Sequence, residues 1–237
     1  MSTVHCRTAG LDLVVEVPPG RWSRRLAHGL STTASPSPPA SEPTDSDAPA
    51  VHVRVLQHAS LTPEGLAAVT RGVWSGRGGV LMLDACGSGL DLWLSAIGPT
   101  LRVLAVPRPR VRHRALAVAA PGRDELLTRA VLTQYPALWW AGTRGLVPLH
   151  VSSMAVEGVG VVLAGPGGSG LSTLVRDSTG SKARPVSDNL CTSDGVVLHG
   201  LREPVRLAQG SGPAMPHGRR ESPLGRRVES VEATRVL

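Results

Sequence analysis

A glycine-rich segment in the second half of the chain constrains the fold more than any other stretch of the sequence. Residues 159–174 read VGVVLAGPGGSGLSTL, so an apolar run precedes the glycines and a helix-compatible run follows them. Residues 165–172 match the pattern G-x-x-x-x-G-K-[ST] at every constrained position except one, because Leu171 stands in the lysine position. This order predicts a strand, a phosphate-binding loop and a helix in succession, and with them an α/β fold class.

The residue types of this segment are those that a phosphate-binding loop needs. Glycines let successive backbone N–H groups converge on phosphate oxygens, and a hydroxyl just after the loop is a ligand for Mg²⁺. Ser172 has that position, so the sequence predicts a nucleotide site with Mg²⁺. The candidate binding residues are Gly165, Gly167, Gly168, Ser169, Gly170, Leu171, Ser172 and Thr173.

Leu171 removes the charge that a lysine would bring to the β- and γ-phosphates. Loss of one charge-assisted contact to phosphate costs about 1.5–3 kcal/mol, or roughly ten- to a hundredfold in affinity. The cations that could replace the lysine are Arg176, one helical turn beyond Ser172, and the more distant Lys182 and Arg184. The alternative is a glycine-rich turn that binds no ligand.

The order of motifs in residues 146–207 resembles the C-terminal kinase domain of HPr kinase/phosphorylase and its bacterial relatives. In that family a histidine in a short strand precedes a hairpin, the phosphate loop, a helix and an Asp-Asp pair. Here His150 lies in the run LHV, and Asp188-Asn189 stands about sixteen positions after Ser172. The resemblance covers about a quarter of the chain and implies a core related to phosphoenolpyruvate carboxykinase.

The resemblance also implies roles for individual residues, with ATP as the nucleotide. Ser172 would hold Mg²⁺, and Asp188 would either bind the metal or accept the proton of a substrate hydroxyl. His150 would lie near the transferred phosphate. Asn189 replaces the second aspartate of the family pair and could not act as a base. The alternatives without a functional role are an ordinary histidine at the end of a strand for His150 and a turn-capping role for Asp188.

Three functional hypotheses follow. The first is an ATP-dependent, HPr-kinase-like protein that transfers a phosphoryl group to a protein serine or a small-molecule hydroxyl. The second is a catalytically dead pseudokinase that acts as a scaffold or regulator of a partner protein, which Leu171 and Asn189 favour. The third is a basic protein that binds an anionic partner through residues 108–114.

The charge and the composition of the chain limit the classes of partner that it could bind. The chain of 237 residues has a formal net charge of +7, with arginine as almost all of its basic residues. The run RPRVRHR at residues 108–114 would place four arginines on one side of a strand. No aromatic residues alternate with these charges, so the pattern does not favour nucleic acid. The resemblance implies a possible homo-oligomer.

The cysteines and the hydropathy pattern indicate a compartment. Cys6, Cys86 and Cys191 are isolated and odd in number, without metal-ligand spacing, and Cys191 is expected to be a small buried residue and not a nucleophile. No apolar run approaches the roughly 20 residues of a membrane span. We predict a soluble cytoplasmic protein that does not insert into a membrane.

The chain is predicted to contain a β-rich N-terminal portion followed by an HPr-kinase/PEP-carboxykinase-like P-loop domain. The predicted segments are an N-terminal strand segment at 1–30, a disordered Ser/Pro-rich linker or loop at 31–49, a β-rich region with helices at 50–145, a kinase-like core at 146–207 and a flexible basic region at 208–237.

Periodicity and turn residues predict the secondary structure. The predicted strands are 11–17, 51–56, 79–84, 90–95, 101–106, 112–119, 147–156 and 159–164, with a weak edge strand at 228–237. One helix is predicted at 62–71 and another at 124–140 with a break near Pro136. Tight hairpins are predicted at Glu157-Gly158 and at Asp194-Gly195.

Overall fold

The structure is a computed structural model. It describes residues 1–20, 22, 26, 50–178, 182–209, 214–215, 218–222, 224 and 227–236, of which 234–236 are described by their backbone only. The predicted linker at 31–49 and part of the predicted flexible region at 208–237 lie outside these residues. The chain divides into two compact units, the first from the described residues of Met1–Cys6, Asp12–Ala27 and Asp47–Ala137 and the second from those of Arg7–Leu11 and Leu138–Leu237.

The described residues form a mixed α/β protein that is rich in strands, as the coarse fold class predicted. Both of its large sheets contain parallel and antiparallel strand pairs. The first unit is built on a sheet in the order β1-β2-β3-β8-β7-β6-β5-β4. Its strands are β1 (Ser2–Thr8), β2 (Leu11–Val17), β3 (Ala50–Val55), β4 (Ala67–Thr70), β5 (Val73–Gly76), β6 (Gly79–Met82), β7 (Leu90–Ile97) and β8 (Thr100–Pro107).

The predicted helix at 62–71 is wrong, because this segment forms a turn and a strand. The N–H of Leu66 donates to the carbonyl of Pro63 at 3.0 Å, which closes a four-residue turn. Gly65 adopts a φ of 72° at the third position of that turn, a value that glycine tolerates and that ends helical geometry. The chain then enters β4, which pairs antiparallel with β5.

The predicted strand at 112–119 is also wrong, since Val111–Ala119 is the helix α1. At its N-terminus, Nδ1 of His113 accepts a hydrogen bond from the backbone N–H of the N-cap residue Arg110 at 2.9 Å. The arginines of this run therefore do not share one face of a strand. Two of them are paired instead, Arg108 with Asp91 at 3.2 Å and Arg112 with Asp84.

The predicted long helix is confirmed, but the predicted break near Pro136 is wrong, because the helix continues through a π-helical turn. α2 (Pro121–Arg129) is followed by a π-helical turn at Ala130–Gln134 and by α3 (Tyr135–Thr143). Pro136 is the second residue of α3 and follows the π-helical turn. A proline lacks the N–H of a regular α-helix, and its ring clashes with the preceding turn. The wider π-helical turn accommodates both.

The second unit is built on a sheet in the order β12-β10-β11-β17-β14-β13-β9. Its strands are β9 (Val147–Leu149), β10 (Ser152–Val156), β11 (Val159–Leu163), β12 (Ala183–Ser187), β13 (Cys191–Ser193), β14 (Val197–Gly200) and β17 (Ser230–Val236), beside a two-stranded sheet of β15 (Val205–Leu207) and β16 (Arg220–Ser222). The predicted hairpin at Glu157-Gly158 is confirmed, with φ values of 52° and 87° and Val156 opposite Val159.

The C-terminal strand is present, but its predicted edge position is wrong. β17 lies inside the sheet, parallel to β11 on one side and antiparallel to β14 on the other. The apolar residues Val231 and Ala233 face the core cluster of Val162 and Leu198. A weakly alternating sequence is sufficient here because both neighbouring strands supply backbone partners.

The glycine-rich loop, which we define as residues 164–170, links β11 to a short helix. α4 (Leu171–Asp177) begins directly after this loop. Val175 is fully buried and packs with Met154, Val205, Leu207 and Leu224. This packing joins α4 to β10 and β15 and fixes the end of the loop. In the described part of the chain, no helix combines the length and apolar character needed to cross a membrane.

The close approach of β11 to β17 gives a test of this arrangement. A Cβ at Gly160 would lie 2.5 Å from the carbonyl oxygen of Glu232 and 3.0 Å from Val231 Cγ1. Gly160→Ala should therefore force the strands apart and destabilise the fold by about 1–3 kcal/mol. Thermal unfolding should show a Tm lower by about 2–4 °C for each kcal/mol in a chain of this size.

Gly142→Ala in α3 is the matched control, because a Cβ at Gly142 meets nothing within 4 Å. Alanine also favours a helix interior over glycine by about 1 kcal/mol. This variant should keep or slightly raise the Tm. Equal Tm values for the two variants would contradict tight packing at Gly160.

Candidate functional site

A pocket of about 490 Å³ lies in the second unit around the glycine-rich loop. The loop forms one wall, and residues from other segments, including β15 and the ends of β9 and β12, form the rest. The lining residues outside the loop and α4 include His150, Ser152, Asp188, Asn189, Arg206 and Arg219. The structure therefore brings the predicted loop, His150 and Asp188 into one pocket, although they are far apart in sequence.

The glycine-rich loop turns tightly between β11 and α4, in the predicted order of strand, loop and helix. The N–H of Ser169 donates to the carbonyl of Pro166 at 3.2 Å and closes the turn. Gly168 and Gly170 have φ values of 90° and 87°, which other residues adopt only with strain. The loop depends on glycine at these two positions for its shape.

Leu171 places an apolar side chain against the start of the loop. A Cβ built on Gly165 would lie 3.1 Å from Ser169 Oγ and 3.6 Å from Leu171 Cδ1. Ser169 and Leu171 thus pack over Gly165, which leaves little room there for any side chain. The position that a lysine would occupy is filled by a residue that brings no charge to the pocket.

The carboxylate of Asp188 is the most unusual group in the pocket. Asp188 follows β12 and is 6% exposed. Its carboxylate accepts hydrogen bonds from the hydroxyl of Ser172 and from the backbone N–H of Arg206. Oδ1 has no hydrogen-bond partner among the described residues. The hydroxyl of Ser152 donates to the Asp188 carbonyl and holds the backbone in place.

Burial raises the pKa of the Asp188 carboxyl above its ordinary value. The hydrogen bonds from Ser172 and Arg206 and the charges of Arg206 and Arg219 lower this pKa, but they offset only part of the effect of burial. The carboxylate reaches Ser172, sixteen positions away in the sequence, instead of only capping its own turn. This contact favours a site over the turn-capping alternative.

His150 lies at the pocket between β9 and β10. Its Nε2 is 2.8 Å from Oδ1 of Asn189. Because an amide oxygen only accepts hydrogen bonds, His150 Nε2 is the donor in this contact. Asn189 therefore orients the histidine. Its amide does so without a charge, whereas an aspartate at this position would add a negative charge.

Sequence reasoning missed the two cations of the pocket, Arg206 in β15 and Arg219 just before β16. The three basic residues proposed to replace the lysine do not line it. Arg176 pairs with Asp177 at 2.6 Å, Lys182 pairs with Glu157 at 2.7 Å, and Arg184 is exposed on β12. No spacing rule relates a loop to a hairpin so much later in the chain, so the sequence carried no signal for them.

The oxygen groups of the site fit Mg²⁺ that arrives with a phosphate ligand. Mg²⁺ is commonly held by one or two carboxylates together with substrate phosphates and waters. Asp188 Oδ1 is a buried oxygen without a partner among the described residues, and the Ser172 hydroxyl contacts the same carboxylate. The described residues contain no cluster of three or more His, Cys, Asp or Glu side chains that could hold a metal.

Two other sequence candidates have structural roles. Burial raises the pKa of Cys191 to about 11, so its thiol stays protonated at neutral pH and is not a nucleophile. Asp194 forms the predicted hairpin turn between β13 and β14, where its carboxylate accepts the N–H groups of Val196 and Val197 at 2.9 and 2.8 Å.

Comparison of the chain with protein-family models, with curated proteins and with solved structures gave no significant match.

The raised pKa of Asp188 predicts a conflict between the site and stability. A folded-state pKa above the unfolded value means that the carboxyl stabilises the fold below the unfolded pKa and that this contribution is lost as the pH rises through the folded pKa. Asp188→Asn should therefore raise the Tm at pH 7 by about 2–4 °C, if removal of the buried charge contributes about 1 kcal/mol. The gain should vanish at a pH below the ordinary aspartate range.

Asp194→Asn is the matched control for this measurement. The backbone N–H groups of Val197 and Val196 lower the pKa of Asp194, so its charge stabilises the fold above the unfolded pKa. Its removal should leave the Tm equal or lower at pH 7. A lower Tm for Asp188→Asn at neutral pH would show that the hydrogen bonds outweigh the burial of the charge.

Proposed function

We propose that the chain is an ATP-binding protein of the HPr-kinase type, which transfers the terminal phosphoryl group of ATP to the hydroxyl of a protein serine or a small molecule. One observation carries the proposal. Ser172, the buried Asp188 and a tight glycine-rich loop line one pocket, and Oδ1 of Asp188 has no hydrogen-bond partner among the described residues. In this arrangement a hydroxyl, a carboxylate and backbone N–H groups can act together on one phosphate chain.

The pocket suits the phosphate chain better than the base. Its lining contains the glycine-rich loop and two arginines, and the described lining residues include no Trp or Tyr to stack on an adenine ring. Ser172 and Asp188 are the residues that would hold Mg²⁺, which neutralises phosphate charge when bound. The affinity would therefore come mainly from phosphate contacts.

In the alternative to metal binding, Asp188 would accept the proton of the attacking hydroxyl. In the transfer, the acceptor oxygen bonds to the γ-phosphorus, the bond from that phosphorus to the bridging oxygen breaks, and ADP leaves with the bond electrons. The acceptor proton moves to Asp188, whose raised pKa makes it a better base than an ordinary aspartate. His150, oriented by Asn189, lines the same pocket and would lie near the transferred group.

The packing of Leu171 on Gly165 favours a second candidate, a pseudokinase that binds nucleotide weakly and acts as a scaffold or regulator of a partner protein. Titration calorimetry with ATP and Mg²⁺, with ADP and GTP as comparators, tests the shared part of both candidates. Micromolar ATP binding supports a working site. Binding with no transfer to any hydroxyl acceptor supports the pseudokinase, and no binding up to millimolar ATP removes the nucleotide from both.

Leu171→Lys should raise the affinity for ATP with Mg²⁺ by roughly ten- to a hundredfold, because it adds one charge-assisted contact to phosphate. Leu174→Lys is the matched control, since Leu174 is an exposed residue of the same helix and does not line the pocket. It adds the same charge outside the site. Equal gains for both variants in calorimetry would reveal a general charge effect and contradict phosphate binding by the loop.

Asp188→Asn should lower phosphoryl transfer by about 10²–10⁴-fold, the range typical for loss of a general base. ATP binding separates the two possible roles of this carboxylate. If Asp188 binds the metal, the variant should lose the enhancement of ATP binding by Mg²⁺. If it acts only as the base, that enhancement should remain. Transfer at the rate of Asp194→Asn would remove Asp188 from both roles.

A further inference from the structure

The pocket holds two guanidinium groups that the loop motif does not explain. Arg206 and Arg219 both line it, together with the loop and Asp188. On the basis of the function proposed above, we infer that Arg206 and Arg219 take the place of the missing lysine and hold the terminal phosphates of the bound nucleotide. The basic residues nearest to the loop in sequence have no part in this role.

One hairpin carries both cations to the loop. β15 and β16 pair antiparallel, with Arg206 opposite Glu221 and Leu207 opposite Arg220. Arg219 directly precedes β16, so it lies beside the end of β15 that follows Arg206. Val205 and Leu207 anchor this hairpin in the same core cluster as Val175 of α4. The loop and the two cations are thus fixed on one packed core.

The described residues do not occupy all the donors of the Arg206 guanidinium. Its Nη2 lies 3.6 Å from Oε2 of the buried Glu203, which is longer than a normal hydrogen bond. Its Nε is buried and has no hydrogen-bond partner among the described residues. Arginine has five N–H donors in a planar fork that matches the oxygens of a phosphate, so donors remain for a ligand.

The buried carboxylate supplies an independent sign that a ligand belongs here. Asp188 is 6% exposed, and its Oδ1 has no partner among the described residues. Such a group is costly to bury unless a ligand or metal completes its contacts. Arg206 and Arg219 line the same pocket as Ser172 and Asp188, and the charges of both arginines lower the pKa of this carboxyl.

The test is calorimetry of the full chain with ATP and Mg²⁺. Arg206→Gln and Arg219→Gln should each weaken ATP binding about tenfold or more, because each removes a charge-assisted contact to phosphate. Arg220→Gln is the matched control, since Arg220 is the next residue along the chain and does not line the pocket. It changes the net charge equally and should leave the affinity within about twofold of the wild type.

A rescue experiment separates charge replacement from a loss of structure. Leu171→Lys introduced into the Arg206→Gln/Arg219→Gln variant should restore ATP affinity, and its gain should exceed the gain in the wild-type background. Arg206 also faces Glu203, so its variant is checked by thermal unfolding. Arg219 is exposed, so its variant reports on binding without that contribution from packing.

The outcomes distinguish this inference from the proposed function. Wild-type binding with both arginine variants as tight as Arg220→Gln overturns the role of the arginines and leaves the nucleotide site standing. No wild-type binding at millimolar ATP overturns the proposed function and the inference with it. Weaker binding by both arginine variants, restored by lysine at position 171, supports the inference.

Discussion

The packing of α4 on the second sheet is the contact on which the pocket depends. Val175 anchors the helix against β10 and β15, and this fixes the end of the glycine-rich loop, the hydroxyl of Ser172 and the apolar side chain of Leu171 together. The same core holds Val205 and Leu207, which flank Arg206. A shift of this one interface would move the loop, the hydroxyl of Ser172 and Arg206 at once.

Asp188 shows why such a site conflicts with stability. Its pKa is raised because burial disfavours the charged carboxylate more strongly than two hydrogen bonds and two nearby arginines favour it. A fold selected for stability alone would place a neutral side chain here. Among the described residues, Oδ1 of Asp188 and Nε of Arg206 have no hydrogen-bond partner, and the proposed metal-bound phosphate chain would bring both the positive and the negative charge that suit these two groups.

Local signals predicted the centre of the site well because they are properties of backbone and turn chemistry. The strand, loop and α4, and the hairpin at Glu157-Gly158, follow from glycine positions and apolar runs that lie within one short segment. The same reasoning failed where a local signal was ambiguous. The left-handed glycine at position 65 outweighed the helix start signal of Pro63. The N-terminal contact between Arg110 and His113 favours a helix in a run that alternates in sequence.

Long-range contacts account for what the sequence could not reveal. β17 is weakly patterned but lies inside the sheet, since β11 and β14 pair with it from both sides. Arg206 and Arg219 reach the pocket only because their hairpin packs on the core of α4. The affinity of a pocket for phosphate depends on the charge within the pocket, whichever part of the sequence supplies that charge. Whether a loop that lacks its lysine binds phosphate therefore depends on the other cations of the pocket.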